Sequence, residues 1–417
     1  MTKDRNINSF ELMTIHFKNE LKAIFTDSGA VLILVGALLI YPILYSFGYF
    51  NEVLTDLPVA VVDLDQTPTS RKYAAMLDAT RDVSVAYNPQ DLTEAEELFM
   101  ANKISGVLLI QRNFQENILA GEQANVAVYA DGSYMLKYKT FYLAASTVNA
   151  YFGGGVSVKR YMAEGKSFRQ AKVASSPFDV QTHMLYNPAG SYGSFIMPGL
   201  ILIIIQQTLL IGIGILGGTF SESKASPFVL PWEKRTKEIV PLLFGRVGAY
   251  ILISLFNICL AVIVIHHWFN YPDKAGMLDV MMLLFPFLLA VIFLGIGLST
   301  LFKHRESAIV FMMFLSPIAL FLSGISWPVS AMPDWLVGLS KILPGTTAVP
   351  AYLRLRTMGV SLIDIKSELF FLYRQAGIYA ALTTGYLFLR IHIDRRKLSH
   401  RLILDDDSSS LKPKNKL

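Results

Sequence analysis

The chain has 417 residues, 53% of them hydrophobic and only 17% charged, with a mean hydropathy of +0.43 and a formal charge of +5. Soluble domains carry about 25% charged residues, so a disordered, collagenous or ordinary soluble chain is excluded, and the single cysteine, Cys259, excludes a disulfide scaffold. The basic excess collects beside apolar runs, the pattern of membrane orientation and not of nucleic-acid binding.

Residues 1–28 form a mostly polar segment in which Phe10, Met13, Phe17, Leu21 and Ile24 recur at three- and four-residue spacing, with Glu11, Lys18, Asn19 and Lys22 on other faces. This predicts an amphipathic helix lying in the cytoplasmic interface; a short helix packed on a protein partner is the plainer alternative. A bilayer core of about 30 Å needs about 20 apolar helical residues. The first such run is Ala30–Phe50, too long and too far from the N-terminus for a cleaved signal, so it is read as an anchor across residues 29–50.

Residues 51–192 read as an inserted α/β domain. Val59–Asp63, Val83–Tyr87, Gly106–Ile110 and Val126–Tyr129 are strand-like, and Ser70–Ala79, Leu92–Asn102 and Phe114–Ala120 helix-like. Leu136–Glu164 is a long helical stalk, predicted to fold back at Gly153, Gly154 and Gly155. Asp63 and Asp65 are assigned to turn and cap chemistry. Gly165-Lys166-Ser167 resembles the end of a Walker A loop, but Arg160 stands where the first glycine belongs.

Five further runs follow within residues 193–392: Phe195–Gly217, Leu242–Ile265, Met277–Leu301, Ser307–Ile325 and Leu372–Ile391. Arg374 and Arg390 sit inside the ends of the last, from which long cationic side chains snorkel. Short outer helices are placed at about 327–371, and residues 393–417 form a basic, then polar, cytoplasmic tail. Lys3, Arg5, Lys18 and Lys22, then Lys224, Lys234, Arg235 and Lys237, then Lys303 and Arg305, then Arg395, Arg396, Lys397 and Arg401 fall on alternate segments. Positive-inside counting therefore predicts both termini in the cytoplasm and six transmembrane helices, with the α/β domain extracytoplasmic between helices 1 and 2.

Gly212, Gly214 and Gly217 match GxGxxG, yet inside an apolar span their small size serves close helix packing and not a dinucleotide. Adjacent His266 and His267 lack carboxylate companions at metal spacing, and no metal site or catalytic constellation is assigned. Asp279, Glu306, Arg246 and Arg374 all fall near span ends, which disfavours an ion-coupled secondary transporter. Gln206, Gln207 and Asn257 are the more central polar residues, either lining a translocation path or bonding between helices.

Several stretches resemble the membrane subunit of ABC-2 type exporters. The outer domain opens with PVAVVDLDQTPTSR; Gly218-Thr219 is similar to the Gly-Thr that begins that family's cytoplasmic coupling segment, here continuing through Ser226, Pro227 and Phe228 to Gly245 and Arg246. FLSGISWPVSAMPDWLVGLSKILPGTTAVPAYLRLRTMG carries Gly324, Pro328, Pro333, Pro344, Arg354 and Gly359 at the family's outer-helix positions. The charged cluster usual before Gly-Thr is replaced here by Gly214 to Gly217.

The resemblance implies a non-enzymatic permease subunit of an efflux system in a bacterial inner membrane, with ATP and Mg on a separate ABC ATPase subunit and no cofactor in this chain. It implies a second permease subunit, identical or related, contact with membrane lipid, and a periplasmic adaptor and outer-membrane channel as further partners. Gly218, Thr219, Glu222, Lys224, Glu233, Lys234 and Arg235 are the residues expected to couple to the ATPase. A membrane-anchored receptor or scaffold that transports nothing is the competing reading.

Overall fold

The structure, a computed structural model, describes residues 7–49, 53–178, 180–188, 190–223, 227–231 and 234–410; for 261, 263–265 and 394–410 the description covers the backbone alone. Lys3, Arg5, Phe50, Lys224, Ser226 and Glu233, singled out above, lie outside it. The chain divides into two units, residues 1–50 with 185–417, and residues 51–184.

In the first unit, α1 (Ser9–Thr26) precedes α2 (Ser28–Gly48), whose turns widen to π geometry over Leu32–Ala37. Then come α8 (Tyr192–Glu222), α9 (Arg235–Ile258), α10 (Met277–Ser299), α11 (Arg305–Leu322), α12 (Asp334–Ser340), α13 (Pro344–Leu353) and α14 (Lys366–Ser410), numbered after α3 to α7 of the second unit. Five helices, α2, α8, α9, α10 and α11, are long and apolar enough to cross a membrane among the described residues. The sixth expected span lies within α14. There Arg374, Gln375, Thr383 and Thr384, with Tyr373, Tyr379 and Tyr386, dilute the apolar character that length alone suggests.

The central helix is α8, with 83% of its apolar stretch buried against 22% for α11. Apolar burial is a weak drive inside lipid, so close packing carries the association. A methyl group on Gly214 would meet Met312 of α11 at 3.3 Å, on Gly217 Ser299 of α10 at 2.5 Å, and on Gly218 the Arg305 backbone at 2.5 Å. The glycines that mimic a dinucleotide fingerprint are therefore sites of helix contact.

In the second unit a sheet of β1 (Leu57–Asp63), β2 (Val83–Tyr87), β3 (Gly106–Ile110) and β4 (Val126–Ala130) has the order β2-β1-β3-β4, parallel except for the β3–β4 pair. Between the strands run α3 (Pro68–Asp78), α4 (Leu92–Met100) and α5 (Phe114–Ala120), followed by α6 (Met135–Ala163) and α7 (Phe168–Ser175). One face of β1 and β3 packs on Tyr73, Leu77, Phe114 and Phe141, the other on Ala95 and Ile104. Burial on both faces explains their unbroken valine and leucine runs.

The predicted fold-back at Gly153 to Gly155 does not occur: α6 runs straight through all three glycines. Glycine costs about 1 kcal/mol per helical position, and tertiary packing of Phe141, Ala144, Ala145 and Val148 holds the helix against that cost. The reversal comes at Gly165, whose φ of +89° only glycine adopts easily, with Ser167 capping α7. The Walker-like triplet is this turn. Asp63 likewise accepts from the Asp65 and Gln66 amides and the Ser70 hydroxyl, and Asp65 from the amides of Phe114 and Gln115.

Candidate functional site

Of the residues singled out around Gly218, Gly218, Thr219 and Glu222 meet the start of α11 where α8 stops and α1 meets α2. Asp27 caps α2, its Oδ1 accepting the Ala30 amide at 3.0 Å. The same carboxylate takes a bidentate pair from Arg305 at the start of α11, 2.6 Å to Oδ2 and 2.9 Å to Oδ1. The Arg305 guanidinium also reaches the Thr219 hydroxyl at 3.4 Å, and its backbone amide donates to Glu222 at 2.7 Å. Gly218 is packed so closely that a methyl group would stand 2.9 Å from the Arg305 nitrogen. Three elements, α2, α8 and α11, are thus tied by one arginine. Burial pushes the Asp27 carboxyl up, but hydrogen bonds from the Ala30 amide and Arg305, with the charge of Arg305, outweigh it and hold the group below the usual carboxylate value.

A second clasp fixes α1 to α9. The stripe of α1 facing inward is Leu12, His16, Glu20 and Ile24 at four-residue spacing, while Phe10 is exposed. Two of those four residues are polar, and each has a built partner. His16 Nε2 lies 2.9 Å from Glu238 Oε1, and Glu238 also accepts the Val229 amide at 2.6 Å and the Leu230 amide at 2.9 Å. A carboxylate that accepts from every side requires the His16 hydrogen on Nε2. One turn further, Glu20 pairs with Arg246 Nε at 2.9 Å and accepts the Tyr250 hydroxyl at 2.7 Å. Gly245 lets α1 approach: a methyl group there would meet the Met13 carbonyl at 2.7 Å. Buried ion pairs of this quality give specific geometry more than net stability.

Lys234 stands just before α9 and Arg235 begins it, the Arg235 guanidinium 5.4 Å from the centre of the Phe228 ring. The three central polar residues are all buried. Gln206 accepts the Gly345 amide at 2.7 Å at the start of α13; Gln207 donates to the Leu315 carbonyl at 3.4 Å; Asn257 donates to the Leu34 carbonyl at 2.6 Å. Each bonds to a neighbouring helix, as in the plainer alternative, and each keeps one buried polar atom without a partner among the described residues.

The outer-helix motif residues shape turns. Gly324 and Gly359 adopt φ of +86° and +75° at helix ends; Pro328 precedes the short turn Val329–Ala331, Pro333 precedes α12, and Pro344 opens α13. Arg354 bonds Glu368 at 2.7 Å and the Asp364 carbonyl at 2.9 Å. Nearby, His266 is buried against Tyr352, while His267 is exposed, as neighbouring helical positions dictate.

Sequence reasoning missed Asp27, His16, Glu20 and Glu238. The only local signal was Asp27-Ser28 directly before an apolar run, a cap signature; the partners lie more than 200 residues away.

A polytopic membrane bundle with two ion-paired clasps at one end defines a membrane transport or anchoring protein. A family described as "ABC-2 family transporter protein" matches residues 28–384, and the chain belongs to that family. It is 24% identical over 389 residues to "Probable multidrug ABC transporter permease YbhS" of Escherichia coli, covering 87% of this chain and 93% of that one. It is 22% identical to "Linearmycin resistance permease protein LnrN" of Bacillus subtilis, over 83% and 91% of the two chains. To "ABC transporter G family member 20" of Dictyostelium discoideum it is 25% identical over 314 residues, 74% of this chain but only 41% of that longer protein.

Proposed function

We propose that the chain is the permease subunit of an ATP-driven efflux system, working as a pair of permease chains with a separate ATPase subunit that holds ATP and Mg. The single observation that carries this reading is the convergence of Gly218, Thr219 and Glu222 with Arg305 and Asp27, beside the clasp of α1 on α9. An ATPase pressing on α1 and on the segment between α8 and α9 would act on both clasps at once. Arg305 passes such a push to α8, α11 and α2, and the buried pairs of His16 and Glu20 pass it to α9, so the bundle moves as packed elements and not as loose loops. Lys224, Glu233, Lys234 and Arg235 fit as the polar contact surface of that loop.

On this reading the α1 end faces the cytoplasm of a bacterial inner membrane, the span in α14 is the sixth, and the unit 51–184 lies outside as an α/β domain that guides cargo or receives an adaptor leading to an outer-membrane channel. The names of the Escherichia coli and Bacillus subtilis relatives support drug-like or antibiotic cargo, which suits a bundle poor in central charges.

The test is co-reconstitution of the chain with its ATPase subunit in vesicles. ATP-dependent transport that survives collapse of the ion gradients supports the reading, and replacement of Arg305 by alanine should uncouple hydrolysis from transport. Transport that follows the ion gradient without ATP would refute it.

A further inference from the structure

A cavity of about 380 Å³ opens among the last turns of α8, the first half of α9, the end of α10 and α14. That volume lies in the range of about 300–1,000 Å³ typical of small-molecule sites. Three arginines line it, Arg235, Arg246 and Arg390, together with Phe220, Phe228 and Phe302. No Asp or Glu lines it among the described residues. Of the three arginines, Arg246 is paired with Glu20 and lies 5.1 Å from the centre of the Phe220 ring. Arg390 is exposed and has no side-chain partner among the described residues. The hydroxyls of Ser299 and Thr300 give their hydrogens to the Ile296 and Gly297 carbonyls, so the charged donors that face a ligand are the guanidiniums, with the Ser221 hydroxyl beside them. The rest of the wall is Gly217, Ser221 and Pro227 with leucine and isoleucine from α9, α10 and α14.

An arginine near a span end snorkels to lipid headgroups in any membrane helix. Here the cations come from two different helices, stand on a concave surface and sit over an apolar wall. A guanidinium fork suits phosphate and carboxylate oxygens, and the apolar wall suits a hydrocarbon chain.

We propose that this cavity is a binding site for an anionic amphiphile, a phosphate or carboxylate head held at Arg246 and Arg390 with its apolar tail along α10 and α14. The site stands on this geometry alone and does not depend on the export reading. The shared chemistry belongs to an acidic lipid as much as to a free anion, and the assay separates the two. The purified full chain in detergent is titrated with dihexanoyl phosphatidic acid, dihexanoyl phosphatidylcholine and inorganic phosphate, with bound ligand read by native mass spectrometry. The acidic lipid should bind at least tenfold tighter than the other two. Arg390→Gln should lose about tenfold of that affinity, Arg390→Lys should recover most of it, and Arg374→Gln, on the same helix but outside the cavity, should lose none. Equal binding of the two lipids, inorganic phosphate binding as well as the acidic lipid, an unchanged Arg390→Gln, or an equal loss in Arg374→Gln would each overturn the proposal.

Discussion

Asp27 and Arg305 are 278 positions apart in sequence, yet their side chains meet through two hydrogen bonds of 2.6 and 2.9 Å. The carboxylate caps the first turn of α2 while the guanidinium anchors the start of α11, so one pair fixes how two helices enter the bundle. Replacing Asp27 by asparagine should cost about 1–3 kcal/mol. The pH dependence follows from the lowered carboxyl. Its contribution is fully present above the free value of 3.8 and is lost as pH falls through the folded value. Thermal unfolding in detergent between pH 7 and 3 should show this acid loss in the wild type and less of it in Asp27→Asn.

Gly218 and Gly377 both stand inside helices, where alanine would ordinarily gain up to about 1 kcal/mol. For Gly377 nothing among the described residues lies within 4 Å of an added methyl group, whereas at Gly218 the Arg305 backbone does, and backbone cannot swing aside. Gly218→Ala should therefore destabilise by about 1–3 kcal/mol, while Gly377→Ala should be neutral or slightly stabilising. Melting temperatures of the two variants in one detergent make the comparison.

Glu238 is fully buried and accepts from His16 and two backbone amides of the segment before α9. Glutamine presents an amide hydrogen where one of those donors points, leaving a buried clash of donors. Glu238→Gln should cost about 3 kcal/mol and loosen both α1 and residues 227–231. Hydrogen exchange should rise in those two segments first; protection equal to wild type would show that the clasp holds without the charge.

Gln206, Gln207 and Asn257 bind neighbouring helices. Alanine at any one should lower the melting temperature by the equivalent of about 0.6–1.7 kcal/mol. A variant that keeps full stability but alters which compounds are transported would assign that residue to the path instead.

Tyr73 is buried with its hydroxyl unpartnered among the described residues, and burial pushes its phenol up to about 12. Its ring still packs edge-on against Phe114 and Phe152. Tyr73→Phe keeps those contacts and removes the stranded hydroxyl, so it should be neutral or stabilising by up to about 1 kcal/mol, read as slower hydrogen exchange in β1 and α3.

What the sequence made legible was local. Strand and helix positions between Leu57 and Ala130 fall within about two residues of the alternation pattern, because turn and cap residues such as Pro68, Asp91 and Gly121 punctuate it. The apolar runs of α2, α8, α9, α10 and α11 were equally plain. Where glycine rules met tertiary packing, as at Gly153 to Gly155, packing won. His16 and Glu20 carry no local mark: only their partners on α9 show them to be the polar part of the buried face of α1. Gly218, Thr219 and Glu222 were marked by their pattern, but nothing local identifies Arg305 and Asp27 as the residues that bind them together.

The most direct test of the account is affinity purification of the tagged full-length chain in mild detergent, with quantitation of any co-eluting ATP-hydrolysing subunit. The account predicts stoichiometric recovery of such a subunit, with hydrolysis that responds to cargo in the wild type and not in Arg305→Ala. A folded, membrane-inserted chain that brings down no ATPase, or an Arg305→Ala variant whose hydrolysis still responds fully to cargo, would contradict it.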